Sequence, residues 1–357
     1  MKRALIIAAL APLALGLLPA TAASATPATA PAAHDLSWRI TPTGVTAQFR
    51  GLSAISRQVA WASGSAGTVL RTTDGGRTWQ NVSPPGVTDL QFRDIEAFDA
   101  NTAVILSIGE GEASRVYRTS DGGAHWTESF RNTEPTAFYD CLAFFDRRHG
   151  LALSDPVGGK FRVLSTSDGG RSWAVLPDAG MPAALAGEFA FAASGQCIAT
   201  SGDRDAWIAT GGGAQARVLH SRDRGLTWTA SVTPLASSPS AGVFAVAFRD
   251  RHNGVAVGGD FANPANGVDA LGLTRDGGRT WAEPVTAPQG YRSGVTWHPW
   301  FPTVLIAVGP TGSDLSVDGG RHWLQFDTGT FDTVDCTRDG ACWASGAQGR
   351  VGVLQLT

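Results

Sequence analysis

One eight-residue motif recurs along this chain of 357 residues and constrains the fold more than any other feature. It reads Ser/Thr-x-Asp-x-Gly-x-x-Trp, and successive copies are 42 to 55 residues apart. Self-similarity at such a period indicates a repeat architecture. The six copies place their aspartate and tryptophan at Asp74 and Trp79, Asp121 and Trp126, Asp168 and Trp173, Asp223 and Trp228, Asp276 and Trp281, and Asp318 and Trp323.

The sequence between two motifs has a regular internal pattern, which is clearest in the second period. Residues 92–98 alternate apolar and polar side chains, and three further short strands are predicted at 103–108, 114–118 and 126–130. Turn residues separate these four segments, and no helical periodicity of useful length occurs beyond the N-terminal segment. Four short strands repeated at this period predict the blades of an all-β propeller.

The spacing predicts seven four-stranded blades with six motifs, and six blades are the alternative. Six blades fall near 46–83, 88–132, 136–178, 186–233, 241–287 and 291–328. The C-terminal residues 330–357 supply three more strands, and Trp38 to Gly44 resembles Trp79 to Gly86, a fourth strand with its following turn. Closing the last blade with this N-terminal strand leaves the ring without open edges. We expect a single domain over 35–357, because each blade packs on its neighbours.

The N-terminus reads as an export signal. Lys2 and Arg3 precede an apolar run from Ala4 to Leu18, and Ala23-Ser24-Ala25 is a small-residue cleavage pattern. We predict a signal peptide over 1–25 and an Ala/Pro/Thr linker over 26–34; a transmembrane anchor is the alternative. The cleaved protein is then periplasmic or extracellular, without a stable membrane anchor.

Charge argues against a nucleic-acid partner. Loss of Lys2 and Arg3 with the signal peptide changes the formal net charge from −3 to −5, and nucleic-acid binding needs a basic face.

We expect a monomer. Gly211-Gly212-Gly213 has no helix after it, so no dinucleotide cofactor is predicted.

Four cysteines in an exported chain are disulfide candidates. Cys336 and Cys342 flank a predicted hairpin turn and can bridge it, and Cys141 and Cys197 form a second possible pair. Metal ligation is the competing interpretation, but the sequence has no CxxC pair and no clustered histidines. We therefore predict no metal site.

The repeated motif itself is interpreted as structural. Its aspartate can bond the backbone of its own turn, and its glycine permits a left-handed conformation. Each copy has only one carboxylate, whereas a calcium loop needs several oxygen ligands at set spacing. We expect the motif to fasten a turn between the third and fourth strands, on the face opposite the binding site.

Six copies of this Asp-box in an exported all-β chain resemble the bacterial neuraminidase repeat superfamily. Seven blades closed by an N-terminal strand resemble, within it, the photosystem II stability/assembly factor family, over about 35–357. That resemblance implies a non-catalytic propeller that binds proteins during complex assembly. The superfamily also includes glycosidases, so a sialidase-like or other glycoside hydrolase, or a lyase, is the alternative. A sialidase motif is matched only by Arg39-Ile40-Thr41-Pro42, which Thr41 interrupts.

A binding site is expected at the propeller face where the innermost strands begin. The mouth of the propeller at this face is called the funnel here. Its mixed polar and aromatic residues suit a protein partner or a glycan; the alternative is that its charged side chains pair with one another around a water-filled channel. Blade five adds a long insertion over 259–266. The candidate ligand-binding residues are Arg50, Arg93, Asp94, Tyr139, Asp140, Asp155, Glu188, Arg292 and Asp332.

Overall fold

The structure, a computed structural model, describes residues 36–356 and forms a seven-bladed β-propeller. Seven antiparallel sheets follow one another along the chain, and the innermost strand of each contacts that of the next until the last meets the first. The all-β prediction is confirmed. Among these residues the structure has no helix long and apolar enough to cross a membrane. The predicted signal peptide (1–25) and linker (26–34) lie outside the described residues.

The strands of the first four blades run outward from the axis in sequence order. The N-terminal strand β1 (Leu36–Thr41) is separate and belongs to blade seven. The other strands are β2 (Phe49–Ala54), β3 (Ala60–Gly64), β4 (Val69–Thr72) and β5 (Gln80–Asn81) in blade one; β6 (Gln91–Ala97), β7 (Ala103–Ile108), β8 (Arg115–Thr119) and β9 (Thr127–Arg131) in blade two; β10 (Tyr139–Phe144), β11 (Gly150–Val157), β12 (Lys160–Thr166) and β13 (Ala174–Val175) in blade three; and β14 (Ile198–Ser201), β15 (Asp205–Ala209), β16 (Arg217–Ser221) and β17 (Thr229–Val232) in blade four.

The remaining three blades complete the ring, and one short 3-10 turn, Gly111–Ala113, precedes β8. The strands are β18 (Ala241–Phe248), β19 (Gly254–Asp260) and β20 (Leu271–Thr274) in blade five; β21 (Gly294–Trp297), β22 (Leu305–Gly309), β23 (Gly312–Ser316) and β24 (Leu324–Asp327) in blade six; and β25 (Thr333–Cys336), β26 (Cys342–Ser345) and β27 (Val351–Leu356) in blade seven, where β1 is the fourth strand.

Blade five departs from the four-stranded pattern. A single bridge between Leu273 and Ala282 stands where the fourth strand would be. Pro284 follows two residues later and has no backbone N–H to donate to a ladder. Proline therefore ends the pairing almost where it begins.

The N-terminal strand closes the ring as predicted. β1 pairs antiparallel with β27, with Leu36 opposite Leu356 and Thr41 opposite Val351. Trp38 is buried on this strand, and its indole N–H donates to the Ser313 hydroxyl of blade six at 2.9 Å. The first described strand is thus held both by backbone pairing and by apolar burial.

Two disulfides are present. One joins Cys141 on β10 to Cys197, immediately before β14, and so links blades three and four close to the axis. The other joins Cys336 and Cys342 across the hairpin between β25 and β26.

The Asp-box turns share one hydrogen-bond pattern, shown here for the first. Asp74 accepts the Thr78 amide at 2.9 Å and the Thr78 hydroxyl at 2.6 Å, and the Thr72 hydroxyl donates to it at 2.9 Å. These bonds, those of Thr78 foremost, lower the pKa of Asp74 to about 2. The boxes follow the third strands, whereas the loops between second and third strands lie at the other ends of those strands. The Asp-boxes therefore occupy the face opposite those loops.

Candidate functional site

The funnel pocket is a cavity of about 460 Å³ at the mouth where the innermost strands begin. Residues from six blades line it, together with loops between second and third strands, including Phe261 and Pro264 of the blade-five insertion. The charged side chains of the lining are Arg50, Arg93 and Asp332. The structure thus brings together three of the nine predicted ligand-binding residues.

β-Bulges set which residues reach this mouth. The pairing of the innermost and second strands shifts between Phe49 and Gly51, and between Phe92 and Asp94. The extra residue in these two strands is Arg50 and Arg93, respectively. A bulge adds one residue to one strand and re-aims its side chain. Equivalent shifts occur around Asp140 in blade three and Phe244 in blade five.

The two arginines form the polar side of the funnel pocket. Arg93 donates to the Ala192 carbonyl at 3.0 Å and to the Gln91 side chain at 3.1 Å. Burial, and then the neighbouring Arg50 guanidinium, lower the pKa of Arg93 to about 10, so Arg93 is still charged at neutral pH. The Arg50 Nε atom is buried and has no hydrogen-bond partner among the described residues.

Asp332 is the carboxylate that faces these arginines. Burial raises its pKa, and Arg50 and a hydrogen bond from Gln48 at 3.2 Å act in the opposite direction. Two guanidinium groups therefore meet one carboxylate in the lining, and the pocket favours an anionic group.

An aromatic cluster forms the apolar side of the funnel pocket. Phe191 stacks on Phe244 with ring centroids 3.8 Å apart, and Tyr291 lies edge-on to Phe244 at 4.6 Å. Phe261 is 52% exposed and lies 6.2 Å from Phe244. Phe261 belongs to the insertion predicted from the sequence, whereas Phe191 and Phe244 were not among the predicted residues. Phe244 occupies the bulge position that holds arginine in blades one and two. This equivalence is the signal that could have identified Phe244 as a lining residue.

Three predicted residues lie buried behind the lining instead of in it. Asp94 accepts the amides of Ile95 at 2.7 Å and Leu142 at 2.6 Å, so it ties blade two to blade three. Burial outweighs both bonds and raises its pKa to about 8. Tyr139 is fully buried and packs edge-on against Phe130 at 5.5 Å. Asp140 is also buried, and its Oδ2 atom has no hydrogen-bond partner among the described residues.

Asp140 and Asp155 form a buried acid pair. Burial, and then the Asp155 charge, raise the pKa of Asp140 well above its usual value, while Arg93 acts in the opposite direction. Burial raises the pKa of Asp155 to about 7, although Asp155 accepts the Ala190 amide at 2.8 Å. This bond attaches blade three to the segment that carries Phe191. The pair supports the funnel pocket without lining it.

Glu188 and Arg292 are used in internal ion pairs and do not line the funnel pocket. Glu188 is buried against Arg217, with Nε to Oε1 at 2.8 Å. Arg292 is fully buried against Asp314. In blade six it is Tyr291, one residue earlier, that reaches the pocket, so the sequence alignment of this blade was one residue out of step.

Gln196 crosses the axis beneath the funnel pocket. Its side chain accepts the Val295 amide at 3.0 Å and donates to the Val295 carbonyl at 3.2 Å and the Val334 carbonyl at 3.0 Å. A blade-four residue is thereby bonded to blades six and seven.

The fold and the pocket together define a class: a propeller with an arginine-and-aromatic pocket at one mouth. Among residues 36–356, no three His, Cys, Asp or Glu side chains are grouped as metal ligands. No family model matches the sequence, and no curated protein matches it.

Solved structures of similar fold have diverse functions. YCF48 bound to a D1 peptide is 16% identical with a TM-score of 0.62, over 90% of this chain and 97% of that one. The GH74 xyloglucanase from Xanthomonas campestris is 18% identical with a TM-score of 0.60, over 88% of this chain and 53% of that one. A streptogramin B lyase is 11% identical with a TM-score of 0.63, over 92% of this chain and 100% of that one. At these identities the likeness extends to the fold alone.

Proposed function

We propose that this protein is a non-catalytic binding module that takes up a peptide segment of a partner protein in the funnel pocket. The observation that carries the proposal is the pairing of Arg50 and Arg93 with an aromatic wall in one cavity. Guanidinium groups bind carboxylates through directed, charge-assisted hydrogen bonds, and aromatic walls take apolar side chains. The ligand is therefore a segment in which an acidic group neighbours an apolar residue.

The role we propose is that of a scaffold or assembly factor outside the cytoplasm. Two disulfides support an exported protein, because such bonds persist in oxidising compartments. The similarity to YCF48, whose structure contains a D1 peptide, supports peptide recognition by a propeller of this shape. A glycoside hydrolase would commonly need two carboxylates flanking the bond to be cleaved, and Asp332 is the one acidic residue in the described lining.

The test is binding to an array of peptides tiled from the exported proteins of the host. Arg93→Gln removes one guanidinium, and Phe261→Ala removes the exposed aromatic ring. Arg57→Ala, in the turn between β2 and β3 on the opposite face, is the matched control. We expect the two funnel variants to raise Kd by about tenfold, or 1.4 kcal/mol, with the control unchanged. Absence of peptide binding, or equal loss in all three variants, would overturn the proposal.

A further inference from the structure

The junction between blades three and four differs from the junctions that follow blades one, two and four at one cross-strand pair. This pair lies beside the Asp-box and joins a second-strand residue to the third-strand residue before the motif. In blade one it is Trp61 and Arg71. Trp61 donates to the Asp99 carbonyl of blade two at 3.2 Å, and Arg71 donates to the Ala100 carbonyl at 2.9 Å. Both side chains therefore fill and bridge the junction.

Two further junctions are bridged from the same positions. Trp207 of blade four donates to the Gly277 carbonyl of blade five at 2.9 Å. Arg118 of blade two donates to the Gly169 carbonyl of blade three at 2.9 Å. In blade three the pair is Leu151 and Ser165, which are smaller. Neither has a side-chain hydrogen bond to blade four, and both line an open cleft of about 630 Å³ between the blades.

The backbone of the neighbouring Asp-box also departs from the repeat. The residue after the Asp-box aspartate is glycine in five copies, with φ between +76° and +79°, but it is Arg224 in blade four. Arg224 adopts φ of +61°, which is unfavourable for a residue with a side chain. Such outliers concentrate at functional sites. The strained residue lines the cleft, and its Nε donates to the Asp203 carbonyl at 2.6 Å, which leaves its two terminal nitrogens without a hydrogen bond in the described structure.

Further polar groups in the cleft have no intramolecular partner. Within residues 36–356, the side chains of Asp203, Arg204, Ser165 and Ser167 make no hydrogen bond or ion pair, yet all four line the cleft. Asp223, the other acidic residue of the lining, is used in its own turn, where it accepts from Thr227. Two guanidinium groups and one carboxylate are thus available to a ligand, whereas the acceptors of the second carboxylate, that of Asp223, are used in its own turn.

The base of the cleft is apolar. Leu151 and the partly buried Leu176 lie at the blade junction, and Leu226 is 52% exposed at the edge. The volume falls in the range of small-molecule sites, roughly 300–1,000 Å³. A matching ligand has an apolar face, several hydroxyl groups and one carboxylate that can accept from the two guanidinium groups.

We propose that this cleft is a binding site for an acidic sugar, a hydroxylated ring that bears a carboxylate, as in a uronate oligosaccharide. Arg204 and Arg224 bind the carboxylate, since guanidinium groups match its geometry. Asp203 accepts from ring hydroxyls, Ser165 and Ser167 exchange hydrogen bonds with them, and the leucines contact the C–H face of the ring. The cleft lies beside the Asp-boxes, on the face opposite the funnel pocket, and binds its ligand independently of that pocket.

The experiment measures binding of galacturonate trisaccharide by titration calorimetry, with the neutral galactose trisaccharide as the matched ligand. Two variants convert the site to the pattern of its neighbours. Leu151→Trp fills the cleft as Trp61 and Trp207 fill theirs, and Arg224→Gly restores the glycine of the other motifs. We expect the wild type to bind the acidic trisaccharide in preference to the neutral one, and each variant to weaken binding at least about tenfold.

Stability measurements distinguish this loss of binding from unfolding. Arg224→Gly relieves the left-handed arginine, so its melting temperature is expected to rise while its affinity falls. Arg93→Gln in the funnel pocket is the control that leaves the acidic sugar bound. No binding by the wild type, equal affinity for the neutral trisaccharide, or unchanged affinity in both cleft variants would each overturn the proposal.

Discussion

Individual aspartates in this protein fall into two groups with opposite pKa shifts. The Asp-box carboxylates accept hydrogen bonds in their turns, which lowers their pKa, to about 2 for Asp74 and Asp121. The carboxyls behind the funnel pocket are buried, and the pKa of Asp94 rises to about 8 and that of Asp155 to about 7. Aspartate thus serves as a charged hydrogen-bond acceptor in the turns of one face and as a buried acid with a raised pKa near the other face.

The buried acids predict that stability falls as pH rises from mildly acidic to neutral. A carboxyl with a raised native pKa binds its proton more tightly in the folded state, so its contribution is lost between the unfolded pKa, near 3.9, and the native pKa. Within that interval, each such carboxyl lowers the free energy of unfolding by up to roughly 1.4 kcal/mol per pH unit. The Asp-box carboxylates titrate below about pH 4, so above that pH they do not change how the free energy of unfolding depends on pH. Asp140→Asn is expected to flatten the decrease.

Urea unfolding between about pH 5 and about pH 8 checks this prediction. Asp178→Asn, at an exposed position, is the control and should keep the wild-type slope. A wild-type stability that rises over this interval would contradict the assignment of raised pKa values.

We predict that the Asp-box contributes to the stability of the fold and not to binding at the funnel pocket. Asp121→Ala removes the acceptor of the His125 amide and of the Thr119 hydroxyl, each at 2.9 Å. We expect a melting temperature lower by a few degrees and an unchanged affinity at the funnel pocket. Ser120→Ala, at an exposed position of the same motif, should change neither quantity. A loss of peptide affinity in Asp121→Ala at full stability would show that the motif has a binding role.

At the scale of elements, the segment before β14 organises the funnel mouth. It contributes Phe191 to the aromatic wall, accepts from Arg93 through the Ala192 carbonyl, and sends Gln196 across the axis. The disulfide at Cys197 fixes the end of this segment to blade three. An irregular connection is therefore held by blades two, three, six and seven and by blade five, where Phe191 stacks on Phe244, and this positions the wall for a ligand.

Gln196→Leu tests the importance of this crossing. The variant leaves the Val295 amide and the Val334 carbonyl without their side-chain partner, which costs roughly 1–3 kcal/mol when such groups are buried. We expect a lower free energy of unfolding and weaker peptide binding at the funnel pocket. Gln58→Leu, an exposed glutamine, is the matched control. Wild-type stability together with wild-type peptide affinity in Gln196→Leu would contradict the proposed role.

At the scale of the whole molecule, ring closure depends on the N-terminal strand. The described strand β1 supplies the outer edge of blade seven and carries Trp38 into the junction with blade six. A chain that begins at Asp35 is expected to unfold in one cooperative transition. A chain that begins at Pro42 lacks β1 and should associate or melt at a markedly lower temperature, because blade seven then has an open edge.

Size-exclusion chromatography and thermal unfolding of the two chains check this prediction. Equal melting temperatures and monomeric behaviour in both would show that the strand is dispensable. A defect in the chain that begins at Asp35 would instead place the domain boundary before that residue.

The sequence predicted the architecture better than the site, and particular residues show why. Turn chemistry is local, so the repeated Asp-box spacing and the similarity of Trp38 to Trp79 were sufficient for seven blades and their closure. The partners of Glu188 and Arg292 are Arg217 and Asp314, on other strands, and no local pattern indicates such pairs. The bulges at Arg50, Arg93 and Phe244 also shift which side chains reach the mouth. Arg224 and Leu151 become informative only once the blades are compared in register.

The pairing of β1 with β27 also determines how the propeller is oriented when it is attached to a surface. Leu36 and Leu356 lie opposite each other, and β27, as a third strand, runs toward the face that carries the Asp-boxes. Both described ends therefore emerge together on that face. Attached through either end to a bead, a sensor surface or a fused carrier, the propeller stands with its funnel mouth directed into the surrounding solution.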